Sequence, residues 1–448
     1  MPLISTRGVA SAKGFGFTNL GSSNWIGILK AAGQASSGYG VWVDSLKNMH
    51  ISGYNNNEGQ IAKYNSSGIV QSQSRVVDAS NGNQTVGIVT DSSNNVYYAN
   101  KLYNGSTGFG SISVVKYDSS GVRQWTKRFI NLNSTASLVG MTIDTSGNVY
   151  ISVRWDNTAA YYIVAIKLNS SGVTQWKRQI SSGSANVVLY TYGNMAVDAS
   201  GNVYLSGLSW NTVGGGLGQE IFLIKLDSTG ANVWQRLLGD SGTQQGWGTG
   251  VDSSGNVYVT GRNGSRVVLA KHNSSGTLQW QRELYNGGVA IEPNNMIVDA
   301  NGNSYVFGYY RVSASAPELQ NAFIVKYDTS GTIQWQRRLG TDIIGGVFTQ
   351  TVAYNMAIDS DGVLYMIGYT SATGGSFFFA KLPPDGSKTG TYTLSGVTFY
   401  YAATSFTDSA GGFTSNTAAY SVGNSTFAED STNLTEATTS LVSTITNI

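Results

Sequence analysis

The chain has 448 residues, enough to bury a large core, and its hydrophobic fraction of 41% fits a globular protein. Charged residues make up only 12%, against an expected ~25%, and the formal net charge is +2. There is no cysteine, which excludes disulfides, thiolate metal sites and thiol nucleophiles, and there are only two histidines.

In chain order, residues 1–24 are rich in Gly and Ser, carry Arg7 and Lys13 but no acid, and are too polar to fold alone. Met1–Arg7 lacks the apolar run of a secretory signal, and no apolar stretch is long enough to span a membrane as a helix. A start in the cytoplasm of a host cell is therefore expected, without membrane insertion. The arm phrase from Ile4 to Phe17, with Phe15 and Phe17 at its end, resembles the N-terminal arms of bacteriophage virion proteins, above all tail-associated ones of marine phages. The resemblance implies that Arg7, Lys13, Phe15 and Phe17 anchor the protein to other virion proteins.

Next comes Trp25-Ile26-Gly27-Ile28-Leu29, which reads as a strand, and then a phrase said seven times. Its fullest form is Val251-Asp252-Ser253-Ser254-Gly255-Asn256-Val257-Tyr258, and its Asp falls at 44, 91, 144, 198, 252, 299 and 359. A second phrase follows each, anchored by Lys63, Lys116, Lys167, Lys225, Lys271, Lys326 and Lys381. Intervals of 47 to 60 residues mean that loops vary while strands stay constant. Four strands, a to d, fit each unit: in the fourth, Asn194–Val197, Asn202–Ser206, Ile221–Lys225 and Val233–Leu237. Asp-x-Ser-Gly-Asn between a and b suits a type I turn ending in a left-handed residue at Gly147, Gly201 or Gly255, or at Asn94. Lys47 stands there in the first unit, so that turn is expected to differ. Asn/Asp-Ser-Ser-Gly between c and d repeats the device at Gly68, Gly121, Gly172, Gly276 and Gly331.

Together these phrases resemble the bacterial seven-bladed β-propeller repeat family, over about residues 25–388. The resemblance implies an all-β fold of seven four-stranded blades. It implies binding more than catalysis, because fold does not settle function. The seventh unit lacks the strand-d Trp and has Pro383-Pro384-Asp385-Gly386 instead. The strand at Trp25 is therefore expected to complete the last blade, with Tyr392-Thr393-Leu394 as its competitor.

The repeat accounts for most chemistry-bearing residues. The seven strand-c lysines, with Lys127, Arg178, Arg236, Arg282 and Arg337 after the strand-d Trp, take twelve of the 27 basic residues. That leaves no spare basic patch for nucleic acid. His50 stands in place of the strand-b Tyr, and His272 in place of the Tyr or Leu after the strand-c Lys. Both read as structural. Asn65, Asn169 and Asn273 match the glycosylation sequon only because they sit in the c–d turn. The repeated Asp residues lack the further carboxylates of a calcium loop. No catalytic set, metal site or cofactor motif can be assembled, and nothing selects an acid pair such as Asp156 with Asp342.

What remains is the uneven rim formed by the b–c and d–a connections, where binding residues sit on variable loops over a rigid scaffold. Candidates there are Tyr54, Tyr103, Arg154, Trp155, Trp210, Asn211, Arg262, Tyr310, Arg311 and Tyr369, with Trp247 from a d–a loop. Aromatic faces beside Asn and Arg suit a host glycan, or equally a protein partner. The alternative is that these side chains pack within their own loops.

From Thr389 onward there is no Lys or Arg. Residues 391–401 alternate like a half-buried hairpin. Leu434, Ala437, Leu441, Ile445 and Ile448 share one helical face, with Asn433 and Glu436 as a capping box, so a short terminal helix is expected. Leu434, Leu441 and Ile445 would pack on the propeller or serve assembly. The reading is a non-enzymatic structural or adhesive virion component that assembles in several copies, ahead of a bacterial cell-surface binding propeller and of a propeller glycosidase or lyase.

Overall fold

A computed structural model of the chain describes residues 24–447 except 31–35, 56–57, 78–82, 105–107, 131–134, 157–160, 182–186, 191–194, 212–217, 240–241, 342–347, 373, 395–396, 413, 418–420, 425–427, 431–434 and 438–441. Arg7, Lys13, Phe15, Phe17, Leu434 and Leu441 lie outside the described residues. The described elements are all strands, gathered into seven antiparallel sheets that form a seven-bladed β-propeller. In the fifth blade, strands a to d are Gln244–Val251, Val257–Asn263, Arg266–His272 and Leu278–Tyr285.

The repeated Asp builds the a–b turn. Asp252 Oδ1 accepts from the backbone N–H of Ser254 (3.0 Å) and Asn256 (2.9 Å), and Oδ2 from Asn256 Nδ2 (2.8 Å) and the Tyr258 hydroxyl (3.3 Å). One carboxylate thus ties the turn to strand b, and a left-handed residue closes it, at Gly255 with φ 76°. The expected exception at Lys47 is not one: its φ is 63°, and Asp44 accepts the same two backbone bonds. The strain of a left-handed Lys is offset by those bonds and by an ion pair from Lys47 to Asp361 of the seventh blade. His50 Nε2 meets Asp44 Oδ2 at 3.0 Å, the place the Tyr hydroxyl takes elsewhere. Burial works against the Asp44 carboxylate, yet hydrogen bonds from His50 and Asn48 hold its pKa at about 2.

Strands c and d carry a latch onto the next blade. Lys116 Nζ and Trp125 Nε1 both donate to the Ser170 carbonyl, at 3.0 and 3.1 Å. Lys167 and Trp176 share Ser228 O, Lys225 and Trp234 share Ser274 O, and Lys271 and Trp280 share Thr329 O. Each of these lysines also lies over the strand-b Tyr ring, 5.0–5.3 Å from its centre. Arg178, Arg236 and Arg282 add an Nε–H bond to the carbonyl of the left-handed Gly in the same turn. That Gly must be Gly: a Cβ at Gly276 would lie 2.9 Å from the Trp234 ring. The first blade has Ser72 opposite Lys63 where the others have Trp, so its latch is incomplete.

Trp25–Lys30 is the fourth strand of the seventh blade, in register Trp25↔Lys381 to Leu29↔Phe377. Its alternation serves two interfaces: Ile26 and Ile28 enter the core shared with the sixth blade, and Trp25 and Leu29 the core shared with the first. Trp25 Nε1 and Lys381 Nζ complete the latch on Ser66 O, at 3.5 and 3.0 Å. The competitor at Tyr392 belongs elsewhere. Gly390–Leu394 pairs with Val397–Ala403, and this hairpin lies on the outer strand of the sixth blade.

From there the chain circles the ring backwards. Thr407–Ala410 adds an outer strand to the fifth blade and Thr414–Thr417 to the fourth. Ser421–Asn424 follows on the third, Ala428–Asp430 on the second and Thr435–Ala437 on the first. Val442–Asn447 ends on Trp25–Lys30. Every exposed strand-d edge thereby gains a partner, which removes the templates for edge-to-edge pairing. Among the described residues the expected terminal helix is not found: Thr435–Ala437 and Val442–Asn447 are strands. The strands start at 407, 414, 421, 428, 435 and 442, one blade every seven residues. A large apolar residue precedes each: Phe406, Phe413, Tyr420, Phe427, Leu434 and Leu441. A period of seven also spans two helical turns, which is why the spacing of Leu434, Leu441 and Ile448 reads as a helix face. Ile445 lies in the final strand, opposite Gly27.

Candidate functional site

The seven a strands surround a central cavity of about 510 Å³. Six of them carry a β-bulge at the same place, where the register with strand b skips one residue: Tyr39, Val86, Val139, Trp247, Asn294 and Tyr354. All six line the cavity and are half-buried. Each stands five residues before the repeated Asp, and a Gly or Asn follows it. In the fourth unit the position is Gly193, outside the described residues. The following residue is small because the next blade is close: a Cβ on Gly248 would lie 2.6 Å from Asn295 Oδ1. The bulge lies towards the start of strand a, so its residue faces the cavity near the b–c and d–a end.

The bulge residues are sorted around the ring. Blades five, six, seven and one supply Trp247, Asn294, Tyr354 and Tyr39 in one arc, and blades two and three supply Val86 and Val139. Tyr39 is stacked between Tyr54 (5.7 Å between ring centres, 10° between planes) and Tyr354 (5.1 Å, 22°). Burial, then the neighbouring phenols of Tyr54 and Tyr369, pushes Tyr354 up to about 12. Burial and Tyr54 also raise Tyr369. These phenols therefore stay neutral at physiological pH. Asn294 Nδ2 donates to Ala353 O at 2.7 Å, and Asn355 Oδ1 accepts from the Met356 N–H at 2.9 Å. Among the described residues the lining contains no Asp, Glu, His, Lys or Arg.

The eleven rim candidates divide. Trp247 lines the cavity, Tyr54 stacks on the lining residue Tyr39, and Tyr369 lies near Tyr54 and Tyr354. Arg262 is engaged by Glu292 of the next blade at 3.1 Å. Tyr310 is buried, with its ring edge-on to Phe406 at 5.1 Å, so it serves the outer wrap rather than a ligand. Arg311 is half-buried beside the sixth blade's loop, its backbone carbonyl accepting from Asn286. Arg154 is near enough to Lys101 to lower that lysine, after burial, to about 8. Trp210 is half-buried at the end of its strand b, opposite Gln219. Tyr103, Trp155 and Asn211 lie on strand b of the second, third and fourth blades. Of the acid pair, Asp156 ends a strand b and Asp342 lies outside the described residues. Tyr39, Asn294 and Tyr354 were not singled out from sequence. The signal was the position five before each Asp, variable inside an otherwise fixed phrase.

His50 and His272 are buried in the blades, and burial lowers both, with Arg236 adding to the effect at His272. Among the described residues no group of three His, Asp or Glu could hold a metal ion, and no helix is long and apolar enough to cross a membrane.

No family model matches the chain. It is 24% identical over 197 residues to an uncharacterized WD repeat-containing protein of Acanthamoeba polyphaga mimivirus, a match covering 34% of this chain and 14% of that protein. The chain thus spans about a seventh of that relative's length. Among solved structures it is similar to a virginiamycin B lyase from Staphylococcus aureus (TM-score 0.48, 10% identity, 80% of this chain and 99% of that one). It is also similar to the polysaccharide lyase Uly1 (TM-score 0.46, 11% identity, 78% and 90%).

Proposed function

We propose that this protein is a non-enzymatic structural and adhesive component of a virus particle, in the tail or adsorption apparatus of a bacteriophage, present in several copies. Its propeller meets a host surface glycan through the cavity mouth, and its N-terminal arm meets other virion proteins. The observation that carries this reading is the placement of the strand that follows the arm. Trp25 lies opposite Asn447 on the outer side of the seventh blade, so the chain enters the ring at its wall and not at the cavity. Among the described residues the cavity lining carries no ionised side chain, which supports binding over catalysis. The partial likeness to a viral repeat protein agrees with the setting. The terminal segment, wrapped on all seven blades, leaves anchoring to the arm.

Deleting residues 1–24 removes the arm while also threatening Trp25, so the cleaner deletion ends at residue 20. The shortened protein should keep the thermal midpoint of the full chain and fail to enter particles. Incorporation at the level of the full chain would refute the anchoring role.

A further inference from the structure

We infer that the ring of bulge residues is a subsite for one uncharged sugar unit, held with its apolar face on the end of the tyrosine stack at Tyr354 and its hydroxyl edge towards the amides. The inference rests on the reading of the cavity mouth as the recognition surface and adds the ligand class and the residues.

Three observations converge. The first is charge. A uronate or sialate carboxylate entering this cavity would lose its water and meet no cation among the described lining residues, a burial that costs far more than burying a hydroxyl that finds a partner. The second is the sorting of the ring. A pyranose has an apolar C–H face and a polar edge, and the cavity has aromatic rings and amides on one arc and Val86 and Val139 on the other. The third is hydrogen-bonding capacity. Asn294 uses its NH₂ on Ala353 O, and Asn355 uses its carbonyl on Met356 N–H. What they retain is one amide acceptor and one amide donor on adjacent blades, the complement of neighbouring hydroxyls. The phenols, held neutral, add donors without adding charge. A cavity of about 510 Å³ lies in the range of small-ligand sites.

The test uses the full chain on an array of neutral hexose and N-acetylhexosamine oligosaccharides, alongside uronate-bearing and sialylated chains. Calorimetry on the best neutral binder follows. Neutral chains should bind, and Tyr354→Ala should weaken binding roughly tenfold, the equivalent of one lost stacking contact, while Tyr39→Ala, which removes the middle ring that seats Tyr54 and Tyr354, should weaken it by a similar factor. Asn355→Asp, which keeps every ring and adds one charge, should weaken it at least as much. Val122→Ala, on the exposed c–d turn of the second blade, is the control and should bind as the unaltered chain does. Preference for acidic chains, or neutral binding that survives all three cavity substitutions, overturns the inference and leaves an adhesive role through another surface. Silence across the whole array overturns the inference together with glycan adhesion, and leaves the structural role to the particle-incorporation test.

Discussion

Ring closure by the first strand can be tested at Trp25. The side chain is fully buried, edge-on to Phe379 at 5.7 Å and tilted to Tyr64 at 6.5 Å, and its indole N–H reaches Ser66 O at 3.5 Å. A buried Trp removes about 200 Å² from water, which at about 25 cal/mol per Å² is about 5 kcal/mol. The hydrogen bond is long and adds no more than about 0.5 kcal/mol. Partial relaxation around the cavity brings Trp25→Ala to about 3–5 kcal/mol. Trp25→Phe keeps most of the apolar contact and should cost about 1–2 kcal/mol. Lys381 donates to the same carbonyl, so Lys381→Met and Trp25→Phe together should depart from the sum of the single effects. The assay is equilibrium urea denaturation followed by circular dichroism, with the slope checked for constancy. A strand merely lying against the wall would give Trp25→Ala a cost under about 1 kcal/mol. That result, or equal costs for Phe and Ala, would refute closure by this strand.

Three further outcomes are expected. Gly276→Ala forces a left-handed Ala at φ 78° and drives its Cβ towards Trp234, whereas Gly264→Ala meets open space at φ 56°; both pay the left-handed cost of about 1–2 kcal/mol, and Gly276→Ala should exceed the other by at least ~1 kcal/mol in urea midpoints. Burial, then the positive Arg236, holds His272 at about 4, while an unfolded His titrates near 6.5. The unfolded chain therefore takes the proton first as pH falls, so stability is full above about 6.5 and drains by roughly 3 kcal/mol towards pH 4. His272→Leu, the residue found at 168, 226 and 382 in other blades, should flatten that decline in thermal midpoint against pH, leaving the part due to His50; an unchanged slope would exclude His272 as its source. Ending the chain at Ala403 uncovers the outer edges of six blades and should make the protein sediment as larger, concentration-dependent species than the full chain.

The propeller was legible because each element is specified several times over. Asp, left-handed Gly, Asn and Tyr all state the same turn, so the strand assignments survive any one departure. Lys47 shows the limit of reading one position alone: two hydrogen bonds to Asp44 and an ion pair to Asp361 outweigh the local preference of the residue. The terminal wrap was misread because a spacing of seven fits two helical turns as well as one blade step, and only the sheet edges beneath it distinguish them. At the site, Trp247, Tyr54 and Tyr369 were visible as aromatics outside the repeat. Tyr39 and Tyr354 were not, because a residue within strand a is expected to be core, and the bulge that turns it to the cavity depends on the next blade's approach. Arg262 and Tyr310 look alike in sequence to true rim residues, yet Glu292 and Phe406 occupy them, through contacts that join residues 30 and 96 positions apart.

The latches and the bulges lie on opposite sides of each blade, and this separation explains why one position can vary. Cohesion between blades comes from strands c and d, through the Lys–Trp–Arg set on the next turn, and from the outer wrap. A substitution there disturbs a shared carbonyl, a buried ring and a left-handed Gly together. The bulge residue is skipped by the strand register and only partly buried, so exchanging it leaves the ladder intact. Tyr, Val, Trp and Asn are all found at this position in one chain, which is direct evidence that the ring tolerates the exchange. If the cavity is the sugar subsite proposed above, a new ligand would be met by changing up to seven side chains around it without rebuilding any blade. By the same reasoning, Val86→Tyr should extend the aromatic arc to the second blade at a stability change under about 1 kcal/mol, the size typical of a half-exposed site. A loss of several kcal/mol would show that the aliphatic side of the cavity is core after all.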